Sequence, residues 1–281
     1  MKITQILAIK YIKTKIKLLS LLSGRKAAEE AFRIFSTPQK LPKSNTPAAF
    51  FYAEPLYMKM YGLKIKGYRW NKDKGKKILI LHGFSSSAHK FNHFVAPLIE
   101  KGYEVIAFDA QAHGASEGTT INALEYSKLI EKIIKVYGPF SGFIAHSFGG
   151  LALSLALEKT PHDENTKMVL IAPATETTSA IESAFAMLGI ENEKVKAAFE
   201  KIIVEKSGHS SHWFSVKRAI KNIKASTLWI HDEEDTVTPL SDALKVKALH
   251  LSNVDFIITK GLGHRKIYRD KTIKNEVINF L

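Results

Sequence analysis

From about residue 63 onward, short apolar runs alternate with stretches of helical periodicity. Residues 78–81, 105–108, 143–144, 168–171, 228–230 and 256–258 are apolar runs too short for helices and read as buried strands. Between them, residues 93–101, 121–137, 151–159 and 240–249 carry apolar side chains at helical spacing. Strand and helix in alternation predict a largely parallel sheet covered by helices on both faces. In such sheets, reactive groups gather at the carboxyl ends of the strands.

Two segments break the rhythm. Residues 176–226 read as helical with no strand signal, and they contain Phe185, Trp213 and Phe214. An excursion between two core strands predicts a cap over the carboxyl edge of the sheet, with those aromatics and His82 lining a substrate pocket. Residues 1–60 read as an N-terminal helical extension. They comprise a lysine-studded helix over 3–22, a second helix over 27–35 and a stretch marked by Pro38, Pro42, Pro47 and Pro55. On a helical wheel Lys2, Lys10, Lys13 and Lys17 share one side, with Ile6 among them and Lys15 opposite. Two readings follow for residues 1–22: a helix packed on the α/β domain, or peripheral attachment to an anionic membrane. The expected division is therefore 1–60 as the extension and 61–281 as the α/β domain, with the cap at about 176–226.

Composition narrows the function classes. The chain has 281 residues, which fits one large domain or two small ones, and 45% of them are hydrophobic, enough for a buried core. The absence of cysteine excludes disulfides, a cysteine nucleophile and thiolate metal sites. No apolar run reaches the roughly 18 residues of a membrane span, and lysines at 10, 13, 15 and 17 interrupt what would be a signal peptide's apolar core. The expected location is cytoplasmic, with the inner membrane surface as the peripheral alternative. The formal charge is +14, but lysine is spread over the whole chain rather than gathered in an arginine-rich stripe, so a nucleic-acid partner is not expected. His89 and His93, and His209 and His212, are close in sequence, yet no H-E-x-x-H or ordered carboxylate set accompanies them, and no metal or cofactor is expected.

The chemistry concentrates where the predicted strands end. Ala145-His146-Ser147-Phe148-Gly149 follows an apolar run and reads as strand, sharp turn and helix with a serine at the apex. A free serine hydroxyl is a poor nucleophile, so a nearby base must activate it. The same turn leaves the Phe148 N–H at a helix N-terminus, able to bind a developing oxyanion. His82-Gly83-Phe84-Ser85 ends another strand and can aim the Phe84 N–H at the same atom. Asp109–Ser116 forms a polar loop after the 105–108 strand. His231-Asp232-Glu233-Glu234-Asp235 follows 228–230, and Gly261-Leu262-Gly263-His264 follows 256–258. The chain order is serine, acid, histidine, with His264 as the base and one carboxylate of the acidic cluster as its partner.

This ordered set resembles the α/β-hydrolase superfamily. The residues that carry the likeness are His82-Gly83-Phe84, Ala145-His146-Ser147-Phe148-Gly149-Gly150, Asp235 before Val237-Thr238-Pro239, and Gly263-His264. Residues 108–114 and 261–267 further resemble a bacterial branch of uncharacterised single-domain serine hydrolases. The resemblance covers residues from about 63 onward and implies the α/β-hydrolase fold, with Ser147 as nucleophile, Asp235 as acid, His264 as base and an oxyanion hole from Phe84 and Phe148. The superfamily pattern places the acid four residues after the strand-end position of His231, which selects Asp235 over Asp232, Glu233 and Glu234, read as solvated. Ala145 departs from the usual glycine by one methyl group. The expected activity is cleavage of a small-molecule carboxylic ester through a Ser147 acyl-enzyme. Thioesterase, amidase or acyltransferase chemistry could use the same triad, and a catalytically idle binding or membrane-associated module could use the same fold.

Overall fold

The computed structural model describes residues 3–39 and 45–281. Lys2, Pro42 and the side chain of Ile6 lie outside the described residues. The chain begins with α1 (Ile3–Leu22), α2 (Gly24–Phe35) and α3 (Ala48–Phe51), then enters the hairpin β1 (Glu54–Met60) and β2 (Leu63–Trp70). Alternation follows: β3 (Lys77–Leu81), α4 (Asn92–Glu100), β4 (Glu104–Phe108), α5 (Ala123–Tyr137), β5 (Gly142–His146), α6 (Phe148–Leu157) and β6 (Lys167–Ile171). Helices α7 (Thr177–Leu188), α8 (Glu193–Ser207) and α9 (Val216–Ala219) separate β6 from β7 (Ser226–Asp232). The chain then runs through α10 (Leu240–Lys247), β8 (Val254–Thr259), α11 (Gly263–Lys266) and α12 (Lys271–Phe280).

Two units are distinguishable, one of residues 38–175 with 215–281 and one of 1–37 with 176–214. The first holds one eight-stranded sheet in the order β1-β2-β4-β3-β5-β6-β7-β8. Only β1–β2 and β2–β4 pair antiparallel; every other pairing is parallel. This is the α/β-hydrolase fold. Every residue of β4 and β5 is buried, because helices cover both faces, and this is why these strands read as unbroken apolar runs. The register brings the strand ends level: Leu81 lies beside Phe108 and Ala145, His146 beside Ile171, and Ile171 beside Ile230. Loops leaving β3, β4, β5 and β7 therefore start from one edge of the sheet.

Individual elements carry their own signals. Helix α5 starts with a capping box, in which the Asn122 side chain accepts from the Glu125 N–H and the Glu125 carboxylate accepts from the Asn122 N–H. Helix α6 is apolar all round and is buried from Gly149 to Leu157, as a central helix must be. The hairpin departs from the sequence reading, because β1 and the start of the sheet fall inside the segment 1–60 read as a helical extension. Strand β2 is half-buried and carries Lys64 and Lys66 on either side of the buried Ile65, so it shows no continuous apolar run.

The second unit is all-helical. Phe199 of α8 packs against Phe32 and Phe35 of α2 at centroid distances of 5.7 and 5.9 Å, and against Phe185 of α7 at 5.0 Å. Arg25 makes a bidentate pair with Glu205 at 2.8 and 2.7 Å, and Lys15 meets Glu30 at 2.9 Å. The N-terminal helices and the 176–214 insertion thus share one core, an association between segments remote in sequence. Residues 215–226, assigned to the cap from the sequence, belong instead with the sheet, where α9 packs on α6.

Candidate active site

Strand β5 ends at His146, and Ser147 turns the chain into α6 with φ 53° and ψ −121°. A non-glycine residue with positive φ is strained, and it holds only where its surroundings dictate the turn. The surroundings are tight. A Cβ on Gly149 would lie 2.6 Å from the His82 carbonyl oxygen and 2.9 Å from that of Leu81, and one on Gly150 would lie 2.8 Å from Pro173 Cβ. A Cβ on Gly83 would come within 3.0 Å of Ser147 Cβ, so the loop after β3 passes hard against the serine. Glycine is needed after the serine. Ala145, fully buried inside β5, fits two residues before it.

The serine meets a histidine and the histidine an acid. Ser147 Oγ lies 3.0 Å from His264 Nε2, and His264 Nδ1 lies 2.7 Å from Asp235 Oδ2. With the Nδ1–H donated to the carboxylate, Nε2 is left as the acceptor for the serine hydroxyl. Burial pushes the Asp235 carboxyl up, but hydrogen bonds from His264 and from the backbone N–H groups of Thr238 and Val237 outweigh it and hold the group at about 2. Asp235 is thus ionised across the neutral range.

Two residues to which the sequence reading gave no role in the site complete this arrangement. The Thr238 hydroxyl donates to Asp235 Oδ2 at 2.8 Å and sits 3.1 Å from His264 Nδ1. Asp232, expected to be a solvated loop carboxylate, is instead fully buried. It accepts from the N–H groups of Leu262 at 3.1 Å and Gly263 at 2.9 Å and from the Thr259 hydroxyl at 2.7 Å, which ties the loop before His264 to the end of β7. The sequence signal was its position as the last residue of a strand, where a side chain can point along the sheet edge.

Phe84 and Phe148 are neighbours, their rings edge to face at 5.5 Å. Among the described residues, neither backbone N–H has a hydrogen-bond partner. The β3 and β4 loops are cross-linked by two buried histidines. His82 Nδ1–H donates to the Gly83 carbonyl while its Nε2 accepts from the Ala110 N–H; His113 Nδ1–H donates to the Gln111 carbonyl while its Nε2 accepts from the Ser85 N–H. Burial lowers His82 to about 4. Burial and the neighbouring His82 lower His113 to about 3. Both rings are neutral bridges, and both nitrogens of His82 are occupied in holding loops. Asp109 accepts from the Ala88 and Ala115 N–H groups in the same region, and burial raises its pKa.

The remaining pocket candidates belong to the helical unit. Phe185 contacts Phe199, and Trp213 stacks on His209 at 4.1 Å and meets Phe214 edge-on at 5.0 Å. His89 packs on Phe50 at 4.3 Å, and His93 donates from Nε2 to the Tyr268 carbonyl at 2.6 Å, so this pair is divided between different neighbours. Among the described residues, no group of three or more His, Asp or Glu side chains is placed to hold a metal ion.

Fold and strand-end loops define an α/β-hydrolase. The chain belongs to the family described as serine aminopeptidase, S33, whose model matches residues 72–217, just over half its length. It is 28% identical over 184 residues to a serine hydrolase-like protein of Dictyostelium discoideum, a match covering 61% of this chain and 47% of that one. It is 32% identical over 94 residues to a probable esterase of Oryza sativa, covering 32% of this chain and 36% of the relative. The chain thus spans about half or less of the length of these relatives. Among solved structures, the Pyrococcus furiosus esterase Pf2001 superposes with a TM-score of 0.65 at 22% identity, over 87% of this chain and 98% of that one, a likeness of fold.

Proposed function

We propose that this hydrolase cleaves a carboxylic ester through an acyl-enzyme on Ser147. The observation that carries the reading is the continuous chain Ser147 Oγ–His264 Nε2, His264 Nδ1–Asp235 Oδ2, mounted on a positive-φ turn. Ser147 Oγ attacks the ester carbonyl carbon as its proton passes to His264 Nε2. The resulting oxyanion meets the N–H groups of Phe84 and Phe148, and Asp235 stabilises the imidazolium. Collapse breaks the bond to the alkoxy oxygen, which leaves as the alcohol with the proton from Nε2. Water then adds to the acyl-serine, giving its proton to His264, and collapse returns that proton to Ser147 Oγ and releases the acid. Support for an ester substrate comes from the esterase-named relative, and the ionised acid partner supports the triad itself.

The test is a panel of p-nitrophenyl esters from acetate to palmitate, run beside fluorophosphonate labelling, on wild type and Ser147→Ala. Turnover and labelling that both vanish in the variant support the acyl-enzyme. Labelling at Ser147 without ester turnover would redirect the same triad to thioesters, amides or acyl transfer. A folded wild type that neither turns over nor labels would leave an idle module.

A further inference from the structure

Helix α1 runs for 20 residues without a single acidic side chain. Its inner face, Ile9, Ile12, Ile16 and Leu19, is half-buried to buried, in keeping with its packing on α2 and α7. The other side is also apolar. Leu7, Tyr11, Leu18 and Leu22 are between 59% and 80% exposed, and their spacing of four, seven and four residues sets them in one stripe within a ~60° arc of the helix. Isolated exposed apolar residues are ordinary, but four large ones aligned on one helix face imply a covering partner. Lys10, Lys13 and Lys17 are exposed along one flank and make no ion pair among the described residues, while Lys15 on the other flank is paired with Glu30.

We infer that α1 lies in the headgroup region of an anionic lipid surface, with the stripe Leu7, Tyr11, Leu18 and Leu22 turned into the acyl boundary and Lys10, Lys13 and Lys17 against lipid phosphates. Charge decides between occupants. A second copy placed on this stripe would bring the same unpaired lysine rows together, with no acidic residue on either helix to relieve them. An anionic surface complements both the stripe and its flank, and the net charge of +14 acts in the same direction. No described helix is long and apolar enough to cross a membrane, so α1 lies along the surface rather than through it. The inference stands apart from the ester chemistry and uses none of its residues.

The experiment is co-sedimentation of the full chain with vesicles of phosphatidylcholine alone or with added phosphatidylglycerol. Compared with wild type are Leu7→Glu/Leu18→Glu, which breaks the stripe, and Lys10→Glu/Lys17→Glu, which breaks the flank. Circular dichroism and fluorophosphonate labelling establish that each variant remains folded. Wild type should pellet only with the anionic vesicles and be released by salt, and each variant should lose about tenfold or more of its partitioning. Wild type left in the supernatant, or both variants pelleting equally with it, would overturn the inference. So would a concentration-dependent dimer that Leu7→Glu/Leu18→Glu abolishes without vesicle binding in wild type, because that outcome assigns the stripe to a second copy.

Discussion

The residue before Ser147 holds the loop that carries His264: His146 Nε2–H donates to the backbone carbonyl of His264 at 3.0 Å. A carbonyl only accepts, so the Nε2 tautomer is set, and Nδ1 is buried with no partner among the described residues. Burial and the neighbouring His264 lower His146 to about 3, so the ring is neutral when it makes this bond. The His146 ring also packs on those of His264 and Tyr268, at 4.7 and 4.5 Å.

His146→Leu should therefore free the His264 backbone while leaving Ser147 in place, and an ångström of misplacement at a catalytic base costs about a hundredfold. The expected result is a 10- to 100-fold fall in kcat with little change in KM, as roughly expected for geometry lost in the transition state. His146→Gln, whose amide N–H can reach the same carbonyl, should recover a substantial part. Equal kcat values for the Leu and Gln variants would reject a positioning role.

Thr238→Val removes the hydroxyl that donates to Asp235 while keeping the side-chain shape. That bond holds Asp235 Oδ2 against His264 Nδ1, and misplacement of such a group costs up to about a hundredfold, so ester turnover should fall by about tenfold or more. The comparison is kcat/KM in Thr238→Val and Thr238→Ser. Serine restores the hydroxyl and should remain near wild type.

Gly149→Ala places a methyl against two backbone carbonyls that cannot move without shifting β3. Overpacking of this kind costs about 1–3 kcal/mol, and here it also displaces the Phe148 N–H. Thermal unfolding should show a lower Tm, together with slower fluorophosphonate labelling of the folded protein. An unchanged Tm would mean that the turn has room the geometry denies.

Acid should destabilise the fold as the pH falls below the ordinary histidine range. His82, His113 and His146 are held at about 4, about 3 and about 3 by burial, against the ordinary value of 6.5. Above pH ~6.5 these rings are neutral in both states and the cost is absent. As pH falls below that value the unfolded chain binds protons that the folded chain refuses, until the folded pKa values are reached. Stability should drop through this window by up to about 1.4 kcal/mol per pH unit for each ring. Urea midpoints at a series of pH values provide the measurement. His113→Asn, which retains a side-chain acceptor in the cross-link, should flatten the slope.

The parts of the fold legible in the sequence were those whose burial is complete. Strands β3 to β6 are covered on both faces, so their runs of Ile, Leu, Val and Phe admit little else. The hairpin β1–β2 was hidden because one face is exposed and lysines interrupt the run. Ser147, His264 and Asp235 could be read as candidates because each lies just beyond a strand whose end is visible in the hydrophobic pattern. Thr238, Asp232 and His146 could not, because their importance lies in which way a hydrogen bond points, and a threonine or an aspartate in a polar loop has many directions open to it.

By itself, the sequence determined the alternation of buried strands and helices, the edge at which their loops gather, and the serine, acid and histidine those loops carry. These follow from local rules, since hydrophobic period and chain order need no knowledge of distant partners. Tertiary structure alone decided that Asp232 is a buried anchor rather than a solvated carboxylate, that His146 grips the His264 backbone, and that α2 shares its core with α8. Each of these is a contact between segments far apart in sequence. Its partner is selected by packing and by the need to satisfy buried polar groups, and neither is written in the residues on one side alone.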